Sequence, residues 1–459
     1  MNDWSPESWK SKPNNQPFRY DDPVAFGEAV ERLRHMPPLV TSWEIERLRQ
    51  LLAEAQEGKR FLLQGGDCAE TLADCTPSVI TNKLKILLQM SLVLVQAFQG
   101  PVIRVGRVAG QYAKPRSKPT ETRDGVELPN FFGDSINAPE FTPRARRPDP
   151  QRMLQAHQHA AATLNFIRSL TAAGFADAHH TEYWDLPFRM NVPRAVHDEY
   201  HAITRRLSEA LRFMSALGEQ SIAELTRVDI YTSHEALHLD YECTQATSVP
   251  RREGHYLLST HFPWIGERTR QIDGSHVEFL RGVRNPIAIK VGPSAAPEEI
   301  VRLVEKLNPT NEPGRITLVT RLGATRVGEL LPPLVEAVRN AGERVLWVTD
   351  PMHGNTRFTP SGRKTRHFDD IIQEINASFD AHERSGSQLG GVHFEMTGDD
   401  VTECTGGVSG VADSDKGDQY LTTCDPRLNY GQSLEMSFLV ARRLAKRTRV
   451  STVPPSSVF

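Results

Sequence analysis

The chain has 459 residues, with 54 Lys and Arg against 57 Asp and Glu, a formal charge of −3, and 39% hydrophobic against 24% charged residues. This suits one large decorated barrel or two to three smaller domains, and it excludes a disordered chain and a broadly basic nucleic-acid binder. No apolar run approaches the ~20 residues of a membrane span, Met1-Asn-Asp-Trp-Ser-Pro lacks the features of a secretory leader, and five scattered cysteines without a CxxC pair point to a reducing cytoplasm.

Residues 1–58 read as an N-terminal extension. It starts with an extended arm of some 25 residues rich in Pro, Asn, Ser and Lys. A helix follows over Val24–Leu33 and another over Trp43–Ala55, where Ile45, Leu48, Leu51 and Leu52 fall at helical spacing. From residue 59 the pattern changes to short apolar runs, most of them followed by helical stretches. The runs are Phe61–Gln64, Val102–Val108, Val228–Tyr231, Tyr256–Ser259, Pro286–Val291, Ile316–Thr320, Val345–Thr349 and Val392–Met396. Runs of this length without clean alternation suit parallel strands buried on both faces. Eight of them with helical connections predict a (β/α)8 barrel over residues 59–459, a doubly wound open sheet being the structural competitor.

About 120 residues separate Val108 from Val228. They hold a polar loop, Lys114–Pro150, and a helical insert at about 150–220. One helix carries Met153, Ala156, Ala160, Leu164 and Ile167; the other carries Val196, Tyr200, Ile203, Leu207, Leu211 and Met214. Stripes at these 3- and 4-residue steps mean packing against the body or a second subunit. His179-His180 reads as surface, because adjacent histidines do not readily chelate one ion. The last ten residues, rich in Thr, Ser and Pro, read as a frayed end.

In a (β/α)8 enzyme the chemistry sits at the carboxyl ends of the strands. Each run ends in reactive or charged residues, and two groups separate out. Cys68, His353, Glu395 and Asp425 make a mixed S, N and O set suited to a divalent transition metal. Taken singly, Cys68 reads equally as a small buried hydrophobe and His353 as a hydrogen-bonded loop histidine. Arg107, Arg268, Lys290 and Arg321, with Lys114-Pro115-Arg116-Ser117, form a cationic group that suits carboxylate and phosphate. Extended backbone puts Lys114 and Arg116 on one side, and Ser117 offers a hydroxyl. Surface ion pairing is the alternative for any one of them. It is the poorer reading for Lys290 and Arg321, which sit in apolar strand sequence where an unpaired cation is costly. On a chain without net positive charge, the group implies a small polyanionic substrate.

Several blocks resemble the class II (plant-like) 3-deoxy-D-arabino-heptulosonate 7-phosphate (DAHP) synthases. They are Phe61-Leu-Leu-Gln-Gly-Gly-Asp-Cys-Ala-Glu-Thr, Gly110-Gln-Tyr-Ala-Lys-Pro-Arg-Ser, Trp264-Ile-Gly-Glu-Arg-Thr-Arg-Gln and Ile289-Lys-Val-Gly-Pro-Ser. Asp350-Pro-Met-His-Gly-Asn-Thr, Val401-Thr-Glu-Cys and Cys424-Asp-Pro-Arg-Leu-Asn complete the set. The similarity runs from about residue 4 to residue 445. It implies condensation of phosphoenolpyruvate with erythrose 4-phosphate and water, the first step of the shikimate pathway to chorismate and the aromatic amino acids.

By the same resemblance, Cys68, His353, Glu395 and Asp425 fall on the metal ligands. Arg107, Glu267, Arg268, Lys290 and Arg321 fall on the phosphoenolpyruvate positions, with Lys290, Glu267 and Arg268 as the catalytic candidates. Lys114, Pro115, Arg116 and Ser117, with Glu235 at the edge, fall on the erythrose 4-phosphate site. One divalent ion per subunit is implied, Mn²⁺ or Co²⁺ first, then Fe²⁺, Zn²⁺ or Cd²⁺. The family also implies a homodimer or homotetramer, aromatic amino acid effectors and a chorismate mutase partner, with neither nucleic acid nor membrane involved. Lys364-Thr-Arg366 matches a further block, with a structural role open. Cys424 adjoins Asp425 and so would lie near Cys68, where a disulfide in metal-free, oxidised protein is expected. An amino-DAHP or secondary-metabolism paralogue is the nearest rival, and a non-catalytic regulatory member a more distant one.

Overall fold

The computed structural model describes residues 4–175, 184, 194–216, 228–407, 409–412, 417 and 419–451. Eight parallel strands close into a barrel: β1 (Phe61–Gly66), β2 (Val102–Arg107), β3 (Tyr231–Glu235), β4 (Phe262–Ile265), β5 (Ile287–Val291), β6 (Ile316–Thr320), β7 (Val345–Thr349) and β8 (Leu389–Glu395). Each strand pairs with its sequence neighbours, and β1 closes the ring against β8. The predicted (β/α)8 class is the observed one, and the open sheet is excluded by that closure.

The alternation of a strand sets what the barrel encloses. Leu62, Ile103, Val105, Tyr231, Phe262, Trp264, Ala288, Val319, Leu346 and Val348 form one apolar cluster inside the ring. Two residues beyond the last apolar position on β2 comes Arg107, and two beyond Ala288 comes Lys290. Two beyond Val348 comes Asp350, and the steps of two from Tyr231 lead through Ser233 to Glu235. The barrel is apolar at its base and ionic at its carboxyl rim. Register fixes the level: Gly66 stands opposite both Arg107 on β2 and Glu395 on β8. A Cβ at Gly66 would lie 2.7 Å from the Arg107 carbonyl, and its φ of 146° is one that glycine tolerates.

The base is closed by the extension. Helix α1 (Pro23–Arg34) and helix α2 (Ser42–Gln56) match the predicted helical spacings. A capping box between Thr41 and Glu44 starts α2, which places Leu48, Leu51, Leu52 and Ala55 in the barrel's inner cluster. The arm lies along the wall: the Trp4 indole donates to the Glu278 carbonyl at 2.9 Å, and Trp9 is buried.

The outer helices are α3 (Pro77–Phe98), α4 (Gln151–Ala172), α5 (Arg194–Ala216), α6 (Ser275–Arg281), α7 (Pro297–Leu307), α8 (Val327–Asn340), α9 (Phe368–Arg384) and α10 (Tyr430–Ser451). The insert is α4 and α5, at the predicted positions. By length and composition α3 would pass for a membrane span, contrary to the reading that no such run exists. Its apolar residues instead share a core with β1, β8 and α10.

Two predicted strands are corrected. The third shares only Tyr231 with β3, whose remaining residues are Thr-Ser-His-Glu. Those side chains are largely buried but polar, so apolarity could not mark them. The fourth, Tyr256–Ser259, is not a barrel strand. Its first residues belong to His255–Leu257, which pairs antiparallel with Ala246–Ser248, while β4 lies beyond at Phe262–Ile265. Pro263 inside β4 removes a ladder donor and weakened that run as a strand signal. His179-His180 and the chain end lie outside the described residues.

Candidate active site

The loops leaving β1, β7 and β8 bring the sulfur, nitrogen and oxygen donors together. Donor atoms of His353, Glu395 and Asp425 lie within 4.8 Å of one another, as do those of Cys68, Cys424 and Asp425. Asp425 belongs to both groups, so the four predicted ligands converge. The Asp425 amide donates to Cys68 Sγ at 3.3 Å. His353 is oriented by Asp350, whose Oδ2 meets Nδ1 at 2.7 Å and leaves Nε2 2.9 Å from Glu395 Oε1. A carboxylate on the far nitrogen is the arrangement that readies a histidine to ligate. The donor set fits a divalent transition metal.

Cations surround these groups. Glu395 is fully buried, with Arg107 at 3.1 Å, Arg366 at 2.6 Å and Lys114 at 3.8 Å. Burial alone would raise its pKa, but His353, Lys114, Arg366 and Arg107 outweigh it and hold the carboxyl well below the usual range. Lys114 donates to Cys68 Sγ and, at 2.5 Å, to Asp425 Oδ2; Lys364 reaches Asp425 Oδ1 at 2.7 Å. Burial and the adjoining Cys424 push the Cys68 thiol up, and the hydrogen bond from Cys68 brings Cys424 down to about 6. Two adjacent thiols on one loop pair are set to couple oxidatively. All five cysteines are free in the structure, and chelated, oxidised protein is expected to retain three titratable thiols, five less the Cys68–Cys424 pair. A count of five would dismiss that pairing.

Above the ligand set opens a cavity of about 950 Å³. Of the predicted site residues all but Glu395 line it; Glu395 lies beneath its floor. Arg107 is immobilised by the carbonyls of Asp67 and Cys68 (2.7 and 2.9 Å) and by His393 Nε2 (2.7 Å). Burial, Lys290 and Arg107 hold His393 neutral, so Nε2 accepts from Arg107 while Nδ1 donates to Gln64 Oε1. Arg321 donates to the His353 carbonyl at 2.6 Å, and Arg268 to Ser117 Oγ at 2.7 Å. The latter bond joins the two predicted substrate groups. Lys290 reaches Asp350 Oδ2 at 2.5 Å; burial brings its pKa down to about 8, with Asp350 pulling upward and Arg107 downward.

The two glutamates on the cavity wall differ. Glu267 accepts from the Gly292 amide (2.6 Å), Ser294 Oγ (3.1 Å) and Arg270. Glu235 has an oxygen without a hydrogen-bond partner among the described residues, and burial pushes its pKa up against Lys114, Arg268, Lys290 and Arg107. It lies so close to Gly266 that a Cβ there would clash with Glu235 Oε1.

Asp350, His393, Gln64, Lys364 and Arg366 were not among the expected site residues. Asp350 was findable, because it continues the β7 alternation by one step. Arg366 and Lys364 stood only as a matching block. His393 and Gln64 carry no local signal at all.

Reactive groups gathered at the carboxyl ends of the strands mark a (β/α)8-barrel enzyme. Which one follows from comparison with known proteins. The family model described as the class-II DAHP synthetase family matches residues 4–441, and the chain belongs to that family. Phospho-2-dehydro-3-deoxyheptonate aldolase of Streptomyces coelicolor is 47% identical over 435 residues, covering 95% of this chain and 96% of its own. The Neurospora crassa protein of the same name is 45% identical over 455 residues, covering 95% and 94%. Phospho-2-dehydro-3-deoxyheptonate aldolase AroG of Mycolicibacterium smegmatis is 45% identical over 428 residues, covering 92% and 91%.

Proposed function

We propose that this enzyme condenses phosphoenolpyruvate with erythrose 4-phosphate and water to give DAHP and inorganic phosphate. The observation that carries the reading is the meeting, at one cavity, of the Cys68, His353 and Asp425 donors, with Glu395 beneath its floor, and cations from the carboxyl ends of β2, β4, β5 and β6, in a chain of this family. Arg107, Lys290 and Arg321 are the residues we assign to phosphoenolpyruvate. Lys114, Arg116 and Ser117 would take the aldose phosphate, and the Arg268–Ser117 bond would hold the two pockets in one alignment. Such positioning and charge neutralisation are the main contributions a protein makes to joining two anions. When bound by the four donors, a divalent ion supplies Lewis acidity toward an aldehyde oxygen. C3 of phosphoenolpyruvate adds to the aldehyde carbon, water adds at C2, and the C2–O bond to phosphate breaks. Glu267, with Lys290, is our candidate for orienting that water; Glu267→Gln with full turnover would remove it. The five free cysteines support a reducing, cytoplasmic setting as part of the proposal.

The test is phosphate release from phosphoenolpyruvate, with and without erythrose 4-phosphate, after chelation and after Mn²⁺ or Co²⁺ is restored. Aldose-dependent release that chelation abolishes and metal restores is expected. Release with an amino sugar phosphate alone would favour the amino-DAHP paralogue.

Lys290 adds a pH signature. Its ammonium is the form that binds an anion, and with a pKa of about 8 it loses charge above that pH. The kcat/KM for phosphoenolpyruvate should therefore fall as pH rises through about 8. The kcat break should lie higher, because the bound anion holds the proton. A kcat/KM flat to high pH would separate Lys290 from phosphoenolpyruvate binding.

A further inference from the structure

A second pocket, of about 630 Å³, opens at the opposite end of the barrel, where the chain enters β5 and β6. Six arginines line it, Arg49, Arg251, Arg252, Arg281, Arg284 and Arg315, against the carboxylates of Glu46, Glu253 and Glu312. Three of the arginines are neutralised by the protein. Arg49 pairs with Glu46 at 2.7 Å and also with Glu312, Arg284 with Glu312 at 3.3 Å, and Arg281 with Glu278 at 2.7 Å. The other three, Arg251, Arg252 and Arg315, make no salt bridge among the described residues.

Arg315 is the telling one. It is buried, and its guanidinium donates to the carbonyls of Leu307 (3.4 Å), Asn285 and Leu280 (3.3 Å). These carbonyls satisfy its hydrogens, and the helix ends that carry Leu280 and Leu307 offset only part of its charge. Burial, aided by Arg284 and Arg49, brings its pKa down to about 9 against the weaker upward pull of Glu312 and Glu46, neither of which pairs with it directly. At the rim, Arg252 lies 4.4 Å from the centroid of the Trp43 ring, which holds the guanidinium while that ring is 76% exposed. Arg251 adopts φ 64°, a left-handed backbone unusual for a long side chain, at the turn that carries both rim arginines.

We infer that this cleft binds a small polyvalent oxyanion, carrying phosphate or carboxylate groups, that neutralises Arg251, Arg252 and Arg315. Guanidinium forks match either oxyanion in bidentate fashion. The site stands apart from the mouth of the barrel and does not depend on the proposed reaction. It touches α2, through Glu46 and Arg49, so its occupant bears directly on the helix that closes the barrel base.

The experiment is calorimetric titration of the full chain in chelator with inorganic pyrophosphate and, separately, citrate. Arg251→Ala/Arg252→Ala is compared with Arg321→Ala, which alters only the mouth. Two classes of pyrophosphate site are expected in the unaltered protein. The rim variant should weaken one class at least ten-fold and leave the other, and Arg321→Ala should do the reverse. Thermal unfolding should show a pyrophosphate-induced rise that is reduced in the rim variant to the part due to the mouth class, with its circular dichroism and turnover unchanged. Citrate competing with pyrophosphate at the rim class would define a general polyanion site, and its failure a phosphate site; both support the inference. Isotherms identical in the unaltered protein and the rim variant would overturn it. So would binding abolished by moderate potassium chloride, which marks diffuse attraction rather than a built site.

Discussion

Replacing Cys68 by alanine should lower kcat/KM for the aldose-dependent reaction by about 10³-fold, on the order of 4 kcal/mol of transition-state stabilisation. The same variant should hold substoichiometric Mn²⁺ or Co²⁺ after dialysis, measured by elemental analysis, while its fold persists. The reason lies in what meets at Cys68. Its sulfur takes the Asp425 amide and the Lys114 ammonium, and it supplies the one soft donor of the four predicted ligands. Removing it leaves an imidazole and two carboxylates, of which Asp425 is already engaged by Lys114 and Lys364 and Glu395 by Arg107 and Arg366. A variant that kept full metal content and turnover would strike Cys68 from the ligand set and return it to the role of a buried hydrophobe.

Arg366→Ala should be the most damaging change to stability near the site. Arg366 is fully buried, donates to Glu395 Oε2 at 2.6 Å and to Thr356 Oγ1 at 3.0 Å, and also reaches the Pro426 carbonyl. Its removal strips a fully buried carboxylate of its closest guanidinium, Arg107 and Lys114 offsetting only part of the charge, which costs about 3 kcal/mol. Denaturant unfolding at neutral pH should show that loss, and the gap to the unaltered protein should narrow in acid. There the sign follows from Glu395, whose folded pKa is depressed. Its ionisation stabilises the fold above the ordinary carboxylate pKa, and that contribution is lost as pH falls through the depressed folded value. Weakening that depression moves the loss to higher pH. Lys364→Ala should cost under about 1 kcal/mol, because Lys364 is one-third exposed (33%) and Asp425 keeps Lys114. Equal effects of the two substitutions would refute the assignment of Arg366 as the buried counter-charge.

Much of this barrel was legible before any contact was known. Where one strand or helix carries its own periodicity, as in α2 or β5, local pattern suffices: Leu48, Leu51 and Leu52 repeat at helical spacing, and Ile287–Val291 is apolar at every position but Lys290. β3 and β4 resist the same reading for separate reasons. β3 is polar because its interior residues face the ionic rim, and β4 contains a proline that the barrel tolerates. The hairpin strand His255–Leu257 has the composition of a core strand, and only its antiparallel partner Ala246–Ser248 shows that it is outside the ring.

The site divides in the same way. Cys68, His353, Glu395, Asp425 and the cations could be named from strand ends and matching blocks, because residue type at those positions is local information. Who neutralises whom is not. Glu395 meets Arg107, Lys114, His353 and Arg366, which come from two distant parts of the chain, the end of β2 with the segment after it and the segment that follows β7. His393 matters because β8 lies beside β1, which puts it between Arg107 and Gln64. Sequence alone determined the periodicity of most elements and the chemical types available at the rim. Tertiary structure decided which run enters the ring, which charges are buried together and which are left over. Those outcomes depend on burial and on distances between residues hundreds of positions apart, and a buried charge finds its counter-charge only once the ring has closed.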